Sequence, residues 1–216
     1  EILIDDQAVH AEALEFAKQN MKTIYNQTQK SININEYLAK LTNKINNEIE
    51  KLNGNYKKSF RENLKINLLI ISKFFTFPID NNISIPIALT HGDFNKGNIV
   101  FDKIDNCTNI IDWEYADERV MWYDSFYLGL NASSPRDLSK RIKKIIGFKK
   151  ILSNDLFWSI DLENVNIEFD LLIYLFILEN LLNRLLQANV SELLFFDKGL
   201  VIFEEELSKI NLKSKS

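Results

Sequence analysis

From about Asp5 to Thr76 the chain is polar, rich in Asn, Lys and Glu, with apolar residues recurring at helical intervals. After Asn33, the positions Tyr37, Leu38, Leu41, Ile45, Ile49 and Leu52 follow i, i+3, i+4 spacing and predict a helix with one buried stripe. Asn53-Gly54-Asn55 supplies a stop, and Phe60, Leu64, Leu68, Ile71 and Phe75 mark the face of a second helix. Pro78 and Pro86 bracket a stretch that reads as irregular. The period then changes. Between Ile87 and about Trp122, short apolar runs (Ile87-Ala88-Leu89, Ile99-Val100-Phe101 and Asn109-Ile110-Ile111) are separated by Gly, Asp and Asn, which is strand-and-turn texture. Helical spacing returns in a basic amphipathic segment, Arg136 to Leu152, and in a strongly apolar one, Glu168 to Leu186. A final helix is expected over Ser191 to Ile210, capped by Ser191, before a frayed tail. The pattern predicts a mainly α protein with a small β-hairpin element, an α+β fold, in three zones: 1–86, 87–129 and 130–216.

Composition narrows the class. The 216 residues carry a net charge of −4, with 46% hydrophobic and 26% charged residues, as in ordinary globular chains. Six Gly and three Pro exclude collagen-like chains and Gly/Pro-rich disorder, and disfavour an all-β fold with many tight turns. A pI near 5.4 argues against a general nucleic-acid binder. The single cysteine, Cys107, allows no internal disulfide, and no adjacent cation marks it as a reactive thiolate. The most apolar run, Leu171 to Leu178, is far short of the roughly 20 residues of a spanning helix. No signal peptide is visible, so a cytoplasmic protein without a membrane span is expected.

The chemistry concentrates in Leu89-Thr90-His91-Gly92-Asp93-Phe94-Asn95-Lys96-Gly97-Asn98-Ile99-Val100-Phe101 and in Ile110-Ile111-Asp112-Trp113-Glu114-Tyr115. Asn98 opens one apolar run and Asp112 closes the next. Paired as an antiparallel hairpin with Asn98 opposite Asp112, the two runs turn at Asp105, a turn-forming residue. One carboxylate and one amide oxygen at the open end suit Mg²⁺, which takes oxygen ligands and fills its shell with water and phosphate. Asp93 lies in a loop with Gly92 and Gly97, whose tight path lets it face the same place. An Asp beside a metal–phosphate centre can accept the proton of an attacking hydroxyl.

His91-Gly92-Asp93, Asn98 five residues on, and Ile111-Asp112-Trp113-Glu114 resemble the catalytic core of the aminoglycoside phosphotransferase and choline kinase-like superfamily, which shares the protein-kinase-like fold. The resemblance covers about Ile87 to Gly129 and, more loosely, the helices that follow. It implies Asp93 as catalytic base, Asn98 and Asp112 as metal ligands, and His91 as a loop anchor. Asp124, in Trp122-Tyr123-Asp124, would hold the catalytic loop through backbone hydrogen bonds, and Glu114 would stand behind the metal ligands. Mg²⁺ and ATP (or GTP) are the implied cofactors, and a small-molecule hydroxyl is the implied acceptor. The position two after Asp93 is Asn95, where protein kinases acting on Ser/Thr place Lys, which favours a small-molecule kinase. The acidic residues Glu114, Asp117 and Glu118 suit an amine-bearing acceptor by sign of charge. Nothing from Glu1 to Thr90 reads as the β-rich lobe with its phosphate-covering loop and Lys. The chain is therefore expected to be a C-terminal lobe, with the N-terminal lobe absent from it.

The aromatics Trp113, Tyr115, Trp122, Tyr123, Phe126 and Tyr127 read first as packing residues, and the basic run Arg141, Lys143, Lys144, Lys149 and Lys150 as a solvated helix face. A catalytically silent kinase-like module used for binding or regulation is the alternative function.

Overall fold

Asn33 ends a short strand and starts a helix, because its side-chain oxygen accepts from the backbone N–H groups of Asn35 (2.9 Å) and Glu36 (3.4 Å). This computed structural model describes residues 7–52, 56–74, 83–102, 105, 107–147, 158–159, 168–190 and 194–210. In chain order the elements are α1 (Gln7–Thr28), β1 (Lys30–Asn33), α2 (Ile34–Lys51), α3 (Lys58–Phe74), β2 (Ser84–Thr90), β3 (Ile99–Asp102), β4 (Cys107–Ile110), β5 (Asp117–Val120), α4 (Tyr123–Gly129), α5 (Leu138–Gly147), α6 (Phe169–Val190) and α7 (Leu194–Ile210). Short 3₁₀ turns lie at Lys96–Asn98 and Trp113–Tyr115. The fold is predominantly helical with two small open sheets, one of three strands in the order β1-β2-β5 and one formed by β3 and β4. Among the described residues no helix is long and apolar enough to cross a membrane.

Two compact units make up the chain. The first comprises Glu1–Lys30, Pro86–Ser133 and Asn154–Val165. Its core gathers Ala17, Met21 and Tyr25 of α1 with Ala88, Phe94, Met121 and Trp158. The α1 contribution recurs every four residues, which places it on one helical face. Tyr25 stacks on Trp158, with ring centroids 6.1 Å apart, and Phe94 lies 5.6 Å from the same indole. This packing seats the loop after β2 against α1.

The second unit comprises Ser31–Ile85, Ser134–Ser153 and Asn166–Ser216. In it, α2 buries Tyr37, Leu41, Ile45 and Ile49, each aliphatic side chain contributing about 1.5–3 kcal/mol. Helix α6 is buried nearly all round and also carries Glu179, Asn180, Asn183 and Arg184 inside. Tyr37 donates its hydroxyl proton to Glu179, and Arg184 lies 5.0 Å over the Phe203 ring, so these polar groups help fix helix positions.

Several expectations change. Strands β1 and β5 read as polar sequence, yet β5 pairs antiparallel with β2 in the register Ile87↔Val120, Ala88↔Arg119, Leu89↔Glu118, Thr90↔Asp117. Pro86 lies inside β2, where it has no N–H to lose and its carbonyl accepts from Met121. The run Ile87–Leu89 therefore belongs to a second sheet rather than to the hairpin element. The hairpin register is one residue away from the expected one: Ile99↔Ile110 through Asp102↔Cys107. The pairing is therefore not symmetric about Asp105, and Asn98 faces Ile111, not Asp112. Helix α5 covers Leu138–Gly147. The expected stop at Asn53-Gly54-Asn55, together with Phe75, Pro78, the Ser191 cap and the tail from Asn211, lies outside the described residues.

Candidate functional site

The loop from His91 to Asn98 is held by its own side chains. Asn98 donates from Nδ2 to the Asp93 carbonyl oxygen (2.9 Å) and to Asp93 Oδ2 (3.0 Å). A carboxylate and a carbonyl only accept, so the amide must turn its NH₂ toward Asp93, which leaves Asn98 Oδ1 as its acceptor atom. Asn95 adds a second lock: its Nδ2 donates to the Asp93 carbonyl (3.1 Å) while its Oδ1 accepts from Gly97 N–H (2.8 Å). Asp93 and Asn98 are thus brought into direct contact.

His91 is fully buried and ties this loop to the strand leading to Asp112. Asp93 N–H donates to His91 Nδ1 (3.2 Å), so the proton sits on Nε2, which donates to the Ile111 carbonyl (2.7 Å). Ile111 is also held from the other side, its N–H donating to the Asn98 carbonyl (3.0 Å). Asp112 follows in the left-handed region (φ 60°, ψ 55°), opening the 3₁₀ turn with an exposed side chain. Among the described residues Asp112 is not hydrogen-bonded to Asp93 or Asn98; it is placed by Ile111.

Asp124, in the first turn of α4, is fully buried beneath the loop. Its Oδ2 accepts from His91 N–H (2.8 Å) and from the Tyr25 hydroxyl (2.8 Å), and its Oδ1 accepts from Gly92 N–H (3.1 Å). Burial pushes its carboxyl above the usual range, while the donors from His91, Tyr25 and Gly92 and the charge of Arg119 work against that. Tyr25 is raised well above an ordinary phenol by burial and by Asp124. Glu114 is exposed. Tyr115 is pushed up to about 12 by burial, by the neighbouring Glu114 carboxylate and by the charge of Asp93, so it stays protonated.

Tyr25 and Arg119 were not singled out by the sequence, and Asn95 was noted only for standing where protein kinases place Lys. The locking role of Asn95 had a signal of its own, since Asn-x-Gly is a pattern that closes an Asx turn. Among the described residues no group of three or more His, Cys, Asp or Glu is placed to hold a metal ion. Asp112 and Asn98 Oδ1 are oxygen donors, the donor type that suits a Mg²⁺ ion keeping water and phosphate in its shell.

A phosphotransferase enzyme family domain is detected over residues 73–144, part of the 216-residue chain. The matched stretch contains the whole loop from His91 to Asn98, the hairpin, Asp112 and Asp124. No curated protein and no solved structure shows a significant match to the chain.

Proposed function

We propose that the protein is an ATP- or GTP-dependent phosphotransferase acting on a hydroxyl of a small molecule (an amino alcohol, sugar or aminoglycoside-like acceptor), and that this chain is the C-terminal lobe. The observation that supports it best is the Asn98–Asp93 pair, inside the stretch matched by the phosphotransferase family. In this reading Asp93 accepts the acceptor's proton, and its orientation comes from Asn98, Asn95 and His91. Asn98 Oδ1 and Asp112 would hold Mg²⁺, which when bound would supply charge neutralisation for the nucleotide phosphates. Asp124 keeps the His91 and Gly92 amides in place, so the loop needs little reorganisation during transfer. Glu114 stands behind the metal ligands and lends negative charge near the acceptor, favouring an amine-bearing molecule. The test is nucleotide turnover by the full-length protein against a panel of amino alcohols, sugars and aminoglycosides. Asp93→Ala is expected to abolish product formation while the melting profile stays cooperative. Turnover retained in that variant rejects the mechanism, and no product with any acceptor in the wild type leaves the silent binding module as the better reading.

A further inference from the structure

Arg119 is a charged residue buried to 6% exposure in a short strand, and its contacts explain its position. Nη1 donates to Thr90 Oγ1 (2.9 Å), the residue just before His91-Gly92-Asp93. Nη2 donates to the Tyr115 carbonyl (2.9 Å), at the end of the turn that Asp112 opens. The guanidinium also lies 5.0 Å over the ring of Tyr123, the neighbour of Asp124. Thr90 Oγ1 completes the chain by donating to the Asp117 carbonyl (3.0 Å). Gly92 belongs to the same joint. At its φ of +86° a side chain is strained, and an added Cβ would overlap the Tyr115 carbonyl oxygen and come within 2.9 Å of Arg119 Nη1.

We propose that Arg119 is a positioning residue, a buried fork that sets the spacing between the Asp93–Asn98 loop and the arm carrying Asp112. A planar guanidinium can donate along two directions at once, to Thr90 and to Tyr115, which an ammonium cannot reproduce in fixed geometry. The consequence for catalysis rests on the phosphotransferase reading, whereas the joint itself does not. Losing the fork separates the two arms of the Mg²⁺ site while leaving Asp93, Asn98 and Asp112 chemically intact.

The experiment compares wild type, Arg119→Lys and the milder Thr90→Val, which removes one acceptor and keeps the arginine. Without any ligand, amide exchange at Gly92, Asn98, Ile111 and Ala116 is read relative to α6 in the other unit. Both variants are expected to accelerate exchange in both loops together, about tenfold for Arg119→Lys and less for Thr90→Val. Acceleration confined to β5, or spread equally through α6, overturns the proposal. With Mg²⁺ and nucleotide, the Mg²⁺ concentration for half-maximal turnover is expected to rise about tenfold with acceptor KM unchanged. A fall in kcat with no change in Mg²⁺ dependence assigns Arg119 a purely structural role and overturns the proposal. Coupled loop exchange in a wild type that shows no turnover keeps the joint and rejects the phosphotransferase reading instead.

Discussion

The Tyr25 hydroxyl donates a 2.8 Å hydrogen bond to Asp124 Oδ2 across 99 residues of sequence, with both groups buried. The same oxygen accepts from His91 N–H, so a helix near the start of the chain braces the loop that carries Asp93. Tyr25→Phe removes one donor from a buried carboxylate and keeps the ring stacked on Trp158. The expected loss is about 2 kcal/mol, typical of a hydrogen bond to a charged group. Without Tyr25 the Asp124 carboxyl moves further up, since that bond is among those holding it down. The loss should shrink as pH falls and the carboxyl takes a proton. Urea unfolding at several pH values checks this, and a pH-independent loss would assign it to packing.

Gly92→Ala should be among the most damaging small substitutions in the loop. The left-handed backbone alone costs about 1–2 kcal/mol with a Cβ, and the overlap with the Tyr115 carbonyl adds to it. The loop must shift or the Arg119 joint must open. Expected are a lowered unfolding midpoint and loss of turnover, with Gly97→Ala as the milder comparison because its Cβ meets only Asn95 Oδ1 at 3.0 Å. Equal effects from the two variants would sink the argument.

Asn98→Asp exchanges the amide donor for a second carboxylate about where Nδ2 meets Asp93. Two acceptors then face each other, and the oriented Asp93 carboxylate loses its partner. Asn98→Ala removes the donor without adding charge, and Asn95 still satisfies the Asp93 carbonyl. The expected order of stability at neutral pH is wild type, then Ala, then Asp. In the phosphotransferase reading, both variants lower kcat by about 10²–10³, the usual effect of removing one preorganised group. Stability and kcat measured on the same preparations check the order.

The long helices were legible because their apolar stripes repeat over many turns: α2 shows Tyr37, Leu41, Ile45 and Ile49, and α6 is leucine-rich throughout. The residues of the loop from His91 to Asn98 were legible as a pattern, but their bonds were not. Strand β5, Asp117-Glu118-Arg119-Val120, lacks an apolar run to mark it, and nothing local says that Arg119 finds Thr90, Tyr115 and Tyr123. Tyr25 was hidden for a similar reason: its stripe is built partly from Ala13 and Ala17, and its partner Asp124 is distant. The hairpin strands were placed correctly but paired one residue off, since a turn of unknown parity leaves both registers open.

Glu206 on α7 makes a pH-dependent tie to the start of α5. Its Oε2 accepts from Ser139 N–H (3.0 Å) and Ser139 Oγ (2.6 Å), and its Oε1 from Lys209 Nζ (2.6 Å). Burial alone would raise this carboxyl, but the bonds from Lys209 and Ser139 outweigh it and bring it down to about 2. The folded value lies below the unfolded one of 4.5, so the unfolded chain binds the proton first as pH falls. The stabilisation is therefore complete above about pH 5 and is lost between there and pH 2. A shift of this size corresponds to about 3 kcal/mol at most, and nearer 1–2 kcal/mol because water around half-exposed Lys209 screens the pair. Glu206→Gln should destabilise the protein by that smaller amount at pH 7 and by only about a quarter of it near pH 2.5. Denaturant midpoints at the two pH values, with Ser139→Ala as a second variant, decide it. A Glu206→Gln deficit undiminished at pH 2.5 would mean that shape, not charge, makes the tie.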